Sequence, residues 1–367
     1  MFDIVLGIFL LLSPIFLLPG QVGNLNALQF YQFGTLGNTG YNYLQLQFFC
    51  FGVVILFITA LLSKPQREFK DKWMVALLSL FCLNTYFHPI GIKIIVPVLL
   101  GFLLYYLVVV YTKDYRKLFK FILCVSLLNT VFAILQFFNI HLIYHSIDRV
   151  DGLMCLSTHL GVYQLIALPI CYALNPLFTV IPIIGILLSK SLTPIFIMFC
   201  LIIIKSFTGI KIKGRTFNIG SVSAFTILLL LIIVFISNNY SLIVQKLNIR
   251  LMVWIPTIKE ISVKILGYGL KPFRLNSSIG LFENPCSIYL QAVHYLGVFV
   301  LIPIFMIIKK VIISKDRILL ASILIALLVG IEKSIFDFPR LAGTTIILFG
   351  LLTITKTEAE YKIGGVS

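Results

Sequence analysis

Residues 91–138 read GIKIIVPVLLGFLLYYLVVVYTKDYRKLFKFILCVSLLNTVFAILQFF. Two apolar runs, 91–111 and 118–138, flank a short break that carries Lys113, Arg116, Lys117 and Lys120. An α-helix needs about 20 apolar residues to cross a hydrocarbon layer of ~30 Å, and each run supplies them. Cations grouped between two such runs fit a cytoplasmic turn. The pattern repeats in both directions, with further apolar runs at 4–20, 43–62, 73–88, 158–174, 177–189, 191–204, 220–237, 288–308, 318–335 and 341–355. These predict an all-α polytopic membrane protein, a bundle of about twelve transmembrane helices. Residues 1–367 then form a single transmembrane domain, with a long, partly helical extracytoplasmic loop at 238–287 before helix 10.

Composition agrees. The chain is 60% hydrophobic and 11% charged, whereas a soluble domain carries roughly a quarter charged residues. The net charge of +16 would suit nucleic acid if the cations formed one surface, but most are grouped in short breaks. Lys64, Arg67, Lys70 and Lys72, then Lys205, Lys211, Lys213 and Arg215, then Lys309, Lys310, Lys315 and Arg317, with Lys356 and Lys362 in the tail, all fall on the side of Lys113. That asymmetry puts both termini in the cytoplasm and excludes nucleic acid as a partner. The opening run, Ile4 to Pro19, has no basic n-region or small-residue cleavage site and is expected to be a retained first helix. Seven Cys without a CxxC pair indicate neither a disulfide framework nor a metal site. The short segments meeting at Ser189-Lys190-Ser191 allow a re-entrant hairpin as well as two crossings, and the tail after Lys356 is expected to be disordered.

Two outward loops hold the chemistry. Asn139 to Thr158 contains His141, His145, Asp148, Arg149 and Asp151, and His159 opens the helix that follows. Arg149 could simply pair with Asp148 or Asp151 in water, and His159 could be a structural imidazole. The longer loop, Ser237 to Ser287, places Lys246, Arg250, Thr257, Glu260 and Lys264 at helical spacing, which predicts an amphipathic helix in the outer interface with its cations toward head groups. Pro256 is expected to kink or split it. Gly267 and Gly269 then permit close backbone approach, and Lys271 and Arg274 add cations. With Lys190, Lys333 and Arg340, the outer face gathers more cations than topology requires, a composition suited to an anionic ligand such as a lipid pyrophosphate.

Three stretches then resemble the O-antigen polymerase and O-antigen ligase superfamily of bacterial polysaccharide assembly. ILQFFNI (134–140) followed by RVDGLMCLSTHLGVY (149–163) is similar to its helix and Arg-x-x-Gly loop; Arg149, Gly152 and His159 match. NIRLMVWIPTIKEI (248–261) running to ILGYGL (265–270) resembles its Arg-x-x-x-Trp segment ending in Gly-x-Gly, with Arg250, Trp254, Gly267 and Gly269 matching. ENPCSIYLQAVHYLG (283–297) resembles its loop exit, through Asn284, Tyr289, Leu290 and Gly297. Two positions depart from the pattern. Cys286-Ser287 stands where the ligases would place His, and Lys190 stands where Arg is expected, keeping the charge but losing the bidentate fork.

The resemblance implies a metal-independent, inverting glycosyltransferase with no cofactor, working at the outer face of the bacterial cytoplasmic membrane. It would polymerise polyprenyl-pyrophosphate-linked oligosaccharide into O-antigen, capsule or exopolysaccharide, among membrane lipids and with a chain-length regulator and a flippase as partners. Arg149, Arg250 and Lys190 are expected to steady the departing pyrophosphate, and Glu283 or His159 to act as base. Trp254, Lys271, Arg274, Asn284, Tyr289 and Arg340 are expected substrate contacts. Alternatives are a ligase moving glycan to lipid A core, or a non-enzymatic transporter or flippase. The last would want ionisable residues inside the helices, where only Glu332 and Lys333 occur, near one end.

Overall fold

A computed structural model describes residues 1–15, 38–87, 92–140, 150, 152–154, 157–208, 237–238, 240–269, 275–277, 280–282, 287–314, 316–332 and 339–364. Among these, thirteen α-helices form a helical bundle. They are α1 (Phe2–Ile15), α2 (Asn38–Leu61), α3 (Lys72–Phe87), α4 (Ile92–Tyr111), α5 (Tyr115–Phe137), α6 (Ser157–Leu174), α7 (Val180–Leu188), α8 (Leu192–Thr208), α9 (Tyr240–Val263), α10 (Ile288–Leu296), α11 (Leu301–Ile312), α12 (Arg317–Glu332) and α13 (Pro339–Gly364). A short antiparallel ribbon pairs β1 (Leu275–Ser277) with β2 (Gly280–Phe282). Among the described residues two helices, α5 and α6, are long and apolar enough to cross a membrane by length and composition. The predicted run 220–237 lies almost wholly outside the described residues.

The bundle is held at the predicted cytoplasmic ends by carboxylates. Asp3 accepts from the amides of Lys113 and Asp114 at 3.1 and 3.0 Å, tying α1 to the α4–α5 turn. Asp114 caps α5 through the Arg116 amide. Asp71, just before α3, receives Lys310 of α11 at 2.7 Å and the Tyr105 hydroxyl of α4, while Tyr105 and Lys310 also reach Thr353 of α13. Burial alone would push the Asp71 carboxyl up, but Lys310, Tyr105 and the Met74 amide outweigh it and hold the carboxyl below its ordinary value.

Inside the bundle, polar groups meet each other, as a low-dielectric interior demands. Gln164 of α6 donates to the Ser126 carbonyl at 3.0 Å and to the Thr130 hydroxyl at 3.1 Å, and accepts from the Ser126 hydroxyl. Thr130 passes its own proton to the Ile181 carbonyl of α7 at 3.0 Å. Four residues on α5, α6 and α7 thus satisfy one another. The outside is the reverse: Ile4, Ile8 and Leu12, one turn apart on α1, stand 62, 44 and 41% exposed, and Phe51, Val54, Ile58 and Leu61 form a similar face on α2.

Three expectations need correction. The run 288–308 is not one helix, because Gly297 at φ +84 and ψ 171 ends α10 and a 3-10 turn (Val298–Val300) restarts the chain into α11. Pro256 does not split α9, which runs through it from Tyr240 to Val263. The tail beyond Lys356 is helical as far as Gly364.

An apolar space of about 380 Å³ lies between α2, α3, α4, α10, α11, α12 and α13.

Candidate functional site

The first cluster surrounds the predicted outer ends of α5, α6 and α7. Gly152, at φ +58, takes the left-handed conformation that glycine adopts freely. Its amide donates to Gln136 Oε1 at 2.8 Å, and Gln136 Nε2 donates back to the Gly152 carbonyl at 2.9 Å. Seven residues earlier on the same face of α5, Asn129 Oδ1 accepts the Leu153 amide at 3.1 Å. A Cβ on Gly152 would come 2.9 Å from the Asn129 carbonyl, so both conformation and space require glycine. The two buried amides therefore fix the turn that ends the Arg-x-x-Gly stretch.

His159 is buried in the first turn of α6. Two residues on, Gly161 lets the α7–α8 turn approach: a Cβ there would meet Ser189 Oγ at 2.8 Å. Lys190 is exposed in that turn at φ +49, a strained conformation for a residue with a side chain, and the turn is braced by Ser189 donating to the Ile186 carbonyl and accepting from the Ser191 amide. The structure thus brings the Gly152 turn, His159 and Lys190 to neighbouring helix ends.

The second cluster joins the two other motif stretches. Gly267 and Gly269, at φ +86 and +74, lie against the end of α10. The Tyr268 amide donates to the His294 carbonyl at 2.9 Å, Gly269 to Tyr295 at 3.1 Å, and Val298 to Ile265 at 2.9 Å. A Cβ on Gly267 would sit 2.5 Å from the Gly297 nitrogen, and one on Gly297 would sit 2.6 Å from the Ile265 carbonyl. Gly267 and Gly297 thus let two backbones touch.

That contact sets His294 Nε2 3.2 Å from Glu260 Oε2. The His294 ring stacks on Tyr268 at 4.7 Å and 6°, Lys264 Nζ lies 4.5 Å from the Tyr268 ring centroid, and the Tyr268 hydroxyl donates to the Glu260 carbonyl at 3.2 Å. Glu260 remains 40% exposed beside a His294 side chain at 6%, so a carboxylate steadied by an imidazole faces outward. Neither residue has a chemical role expected from the sequence. The signal was present in the glycines, which imply that the chain segments beside them come together.

Arg250 and Trp254 are half-buried one turn apart on α9. On α9 the expected pattern holds in part: Val253, Thr257 and Ile261 are buried and Lys246, Arg250 and Glu260 half-buried, while the polar Asn248 and Lys259 are exposed together with Leu247, Leu251, Ile255 and Ile258, and Lys264 is exposed just beyond the helix. Tyr289 of α10 donates its hydroxyl to the Leu327 carbonyl at 2.9 Å, which makes it a brace between α10 and α12. Arg340 is the second residue of α13. Arg149, Lys271, Arg274, Glu283 and Asn284, together with His141, His145, Asp148, Asp151, Cys286 and Lys333, lie outside the described residues. Lys190 and Arg250 sit on different elements, the α7–α8 turn and the middle of α9. Among the described residues no three His, Cys, Asp or Glu side chains are grouped to hold a metal.

No family model matches the chain, and no curated protein does either.

Proposed function

We propose that the chain is a multi-pass membrane glycosyltransferase, with about twelve crossings and cytoplasmic termini. It polymerises polyprenyl-pyrophosphate-linked oligosaccharide units at the outer face of a bacterial cytoplasmic membrane. The membrane part of this reading is supported by the inverted distribution of polarity, with Gln164, Thr130 and Ser126 satisfied inside and apolar stripes on α1, α2 and α9 left outside.

One observation carries the chemical part: the backbone docking of the 265–269 turn on the end of α10, which sets Glu260, on the helix that also carries Arg250, against His294 of α10. In the reaction, a hydroxyl of the acceptor sugar attacks the anomeric carbon of the donor, and the bond from that carbon to the pyrophosphate breaks. The bonding electrons leave with the pyrophosphate, and the hydroxyl proton passes to the Glu260 carboxylate. Arg250, and Lys190 if the donor spans both clusters, offset the charge that develops on the leaving group. His294, nearly covered, holds the carboxylate in place and shares its proton. Glu283 and His159 keep their place as alternative bases.

The test is incubation of purified protein with a lipid-pyrophosphate oligosaccharide, following product length on a gel. A ladder of longer products from the wild type, reduced at least 100-fold in Glu260→Gln, is the expected result. Absence of any product longer than the substrate refutes the polymerase reading, and an unchanged ladder in Glu260→Gln removes the carboxylate from it.

A further inference from the structure

The apolar space between the helices runs along three of them for the same length. Its walls extend from Met74 to Phe81 on α3, from Val98 to Tyr105 on α4 and from Ala342 to Phe349 on α13. Seven residues of helix rise about 10 Å, so the space is elongated along the bundle. Three hydroxyls border it. Tyr105 is engaged by Asp71 and Thr353, and Tyr289 by the Leu327 carbonyl. The third, Thr345, is 2% exposed and has no hydrogen-bond partner among the described residues.

Water does not suit this space, because a buried water needs 2–4 polar partners and the walls offer one free hydroxyl. A hydrocarbon chain does suit it, since it restores the dispersion contacts that facing apolar walls lack. The orphan hydroxyl narrows the choice. An isoprenoid tail has no acceptor along its length and would leave Thr345 unsatisfied, whereas an acyl chain carries an ester carbonyl at its head end.

We propose that this space is a binding site for the acyl chain of an ester lipid drawn from the surrounding bilayer, with Thr345 donating to the ester carbonyl. The proposal rests on the membrane reading above and is independent of the glycosyl transfer. Its walls run from Tyr105, which contacts the Asp71–Lys310 pair at the predicted cytoplasmic ends, to Tyr289 and Ala342 toward the outer ends, so the bound lipid fills the bundle between α3, α4, α10, α11, α12 and α13.

The protein is purified in a mild detergent, separated by gel filtration, extracted, and its lipids are quantified by mass spectrometry. About one equivalent of a two-chain phospholipid per wild-type chain is expected, against at least a tenfold loss in Ala326→Phe, which fills the space. Thr345→Val, which keeps the shape, should lower retention about fivefold, the equivalent of one net hydrogen bond. Adding dioleoyl phosphatidylglycerol to delipidated protein should raise the Tm of the wild type and leave Ala326→Phe unmoved. If Ala326→Phe does not fold, the smaller Ala342→Leu must show the same loss. Equal lipid on wild type and filled variants, a polyprenyl phosphate as the sole retained lipid, or no retained lipid on the wild type overturns the proposal. Failure of the membrane reading would be seen separately, as chain recovered in the soluble fraction without detergent.

Discussion

Replacing Gly297 with Ala tests whether the two glycine turns are a working joint. At φ +84 and ψ 171 the residue occupies a region that side chains almost never enter, at a cost of order 1–3 kcal/mol. The added Cβ would lie 2.6 Å from the Ile265 carbonyl and 2.7 Å from the Leu266 carbonyl carbon, both backbone atoms that cannot swing aside. Relief requires the turns to separate, which breaks the amide bonds from Tyr268, Gly269 and Val298, each worth about 1 kcal/mol net. The joint should therefore open more readily by about 3 kcal/mol, or on the order of 100-fold in local opening. Hydrogen exchange followed by mass spectrometry on peptides covering 264–269 and 296–300 reads this directly. Gly343→Ala is the control, since its Cβ would make only ordinary contact, 3.5 Å from Phe49. Exchange in Gly297→Ala within threefold of wild type would refute the reasoning, whatever happened to activity.

Arg250→Ala should abolish polymer while the amount of protein in the membrane stays normal, and unchanged polymer length and quantity would remove Arg250 from the mechanism. Gln136→Leu leaves the amide and carbonyl of Gly152 without their partners, at about 1–3 kcal/mol for each group. Polymer yield should fall with no loss of α5 insertion, and wild-type yield would show that the Gly152 turn holds itself. Asp71→Asn strands the Lys310 ammonium, a change expected to cost about 3–5 kcal/mol and to lower Tm. The pH dependence has a defined sign: the folded Asp71 carboxyl lies below its ordinary value, so its contribution is complete above an unfolded pKa of about 3.9 and is lost as pH falls through the lower folded value. The acid limb of Tm against pH should flatten in Asp71→Asn, and an identical limb in both proteins would contradict the assignment.

The helices themselves were largely legible, because an apolar run between cationic breaks has few other uses. α4 was expected at 91–111 and spans Ile92–Tyr111; α6 was expected at 158–174 and spans Ser157–Leu174. What hydropathy could not give was orientation about a helix axis. On α9 both the protein-facing and the outermost positions are apolar, and only packing decides that Val253 is covered while Leu251 is not. Nor could it give the break after α10. Leu296 and Val298 are as apolar as their neighbours, and the chain bends there because the Ile265 carbonyl, more than thirty residues upstream, takes the Val298 amide. The same distance hid the Glu260–His294 pair: 34 residues of chain separate two groups that touch only once the glycine turns have docked.

These particulars change what the motif glycines mean. Gly152, Gly267 and Gly297 all hold positive φ, and at each a Cβ would strike backbone. The short patterns on which the family resemblance rests are therefore, in this chain, instructions for where one backbone touches another. Two charged residues lie beside close approaches of this kind, Lys190 in the turn that packs on Gly161 and Glu260 on the helix that leads into the Gly267 turn. A charge carried on a turn braced in this way loses little entropy when it meets an anion, which is the economy a site needs if it must grip a pyrophosphate and then release it on every cycle. It follows that loosening a joint should weaken catalysis even when every charged side chain is retained, and that exchanging one cation for another on an intact joint should be tolerated better.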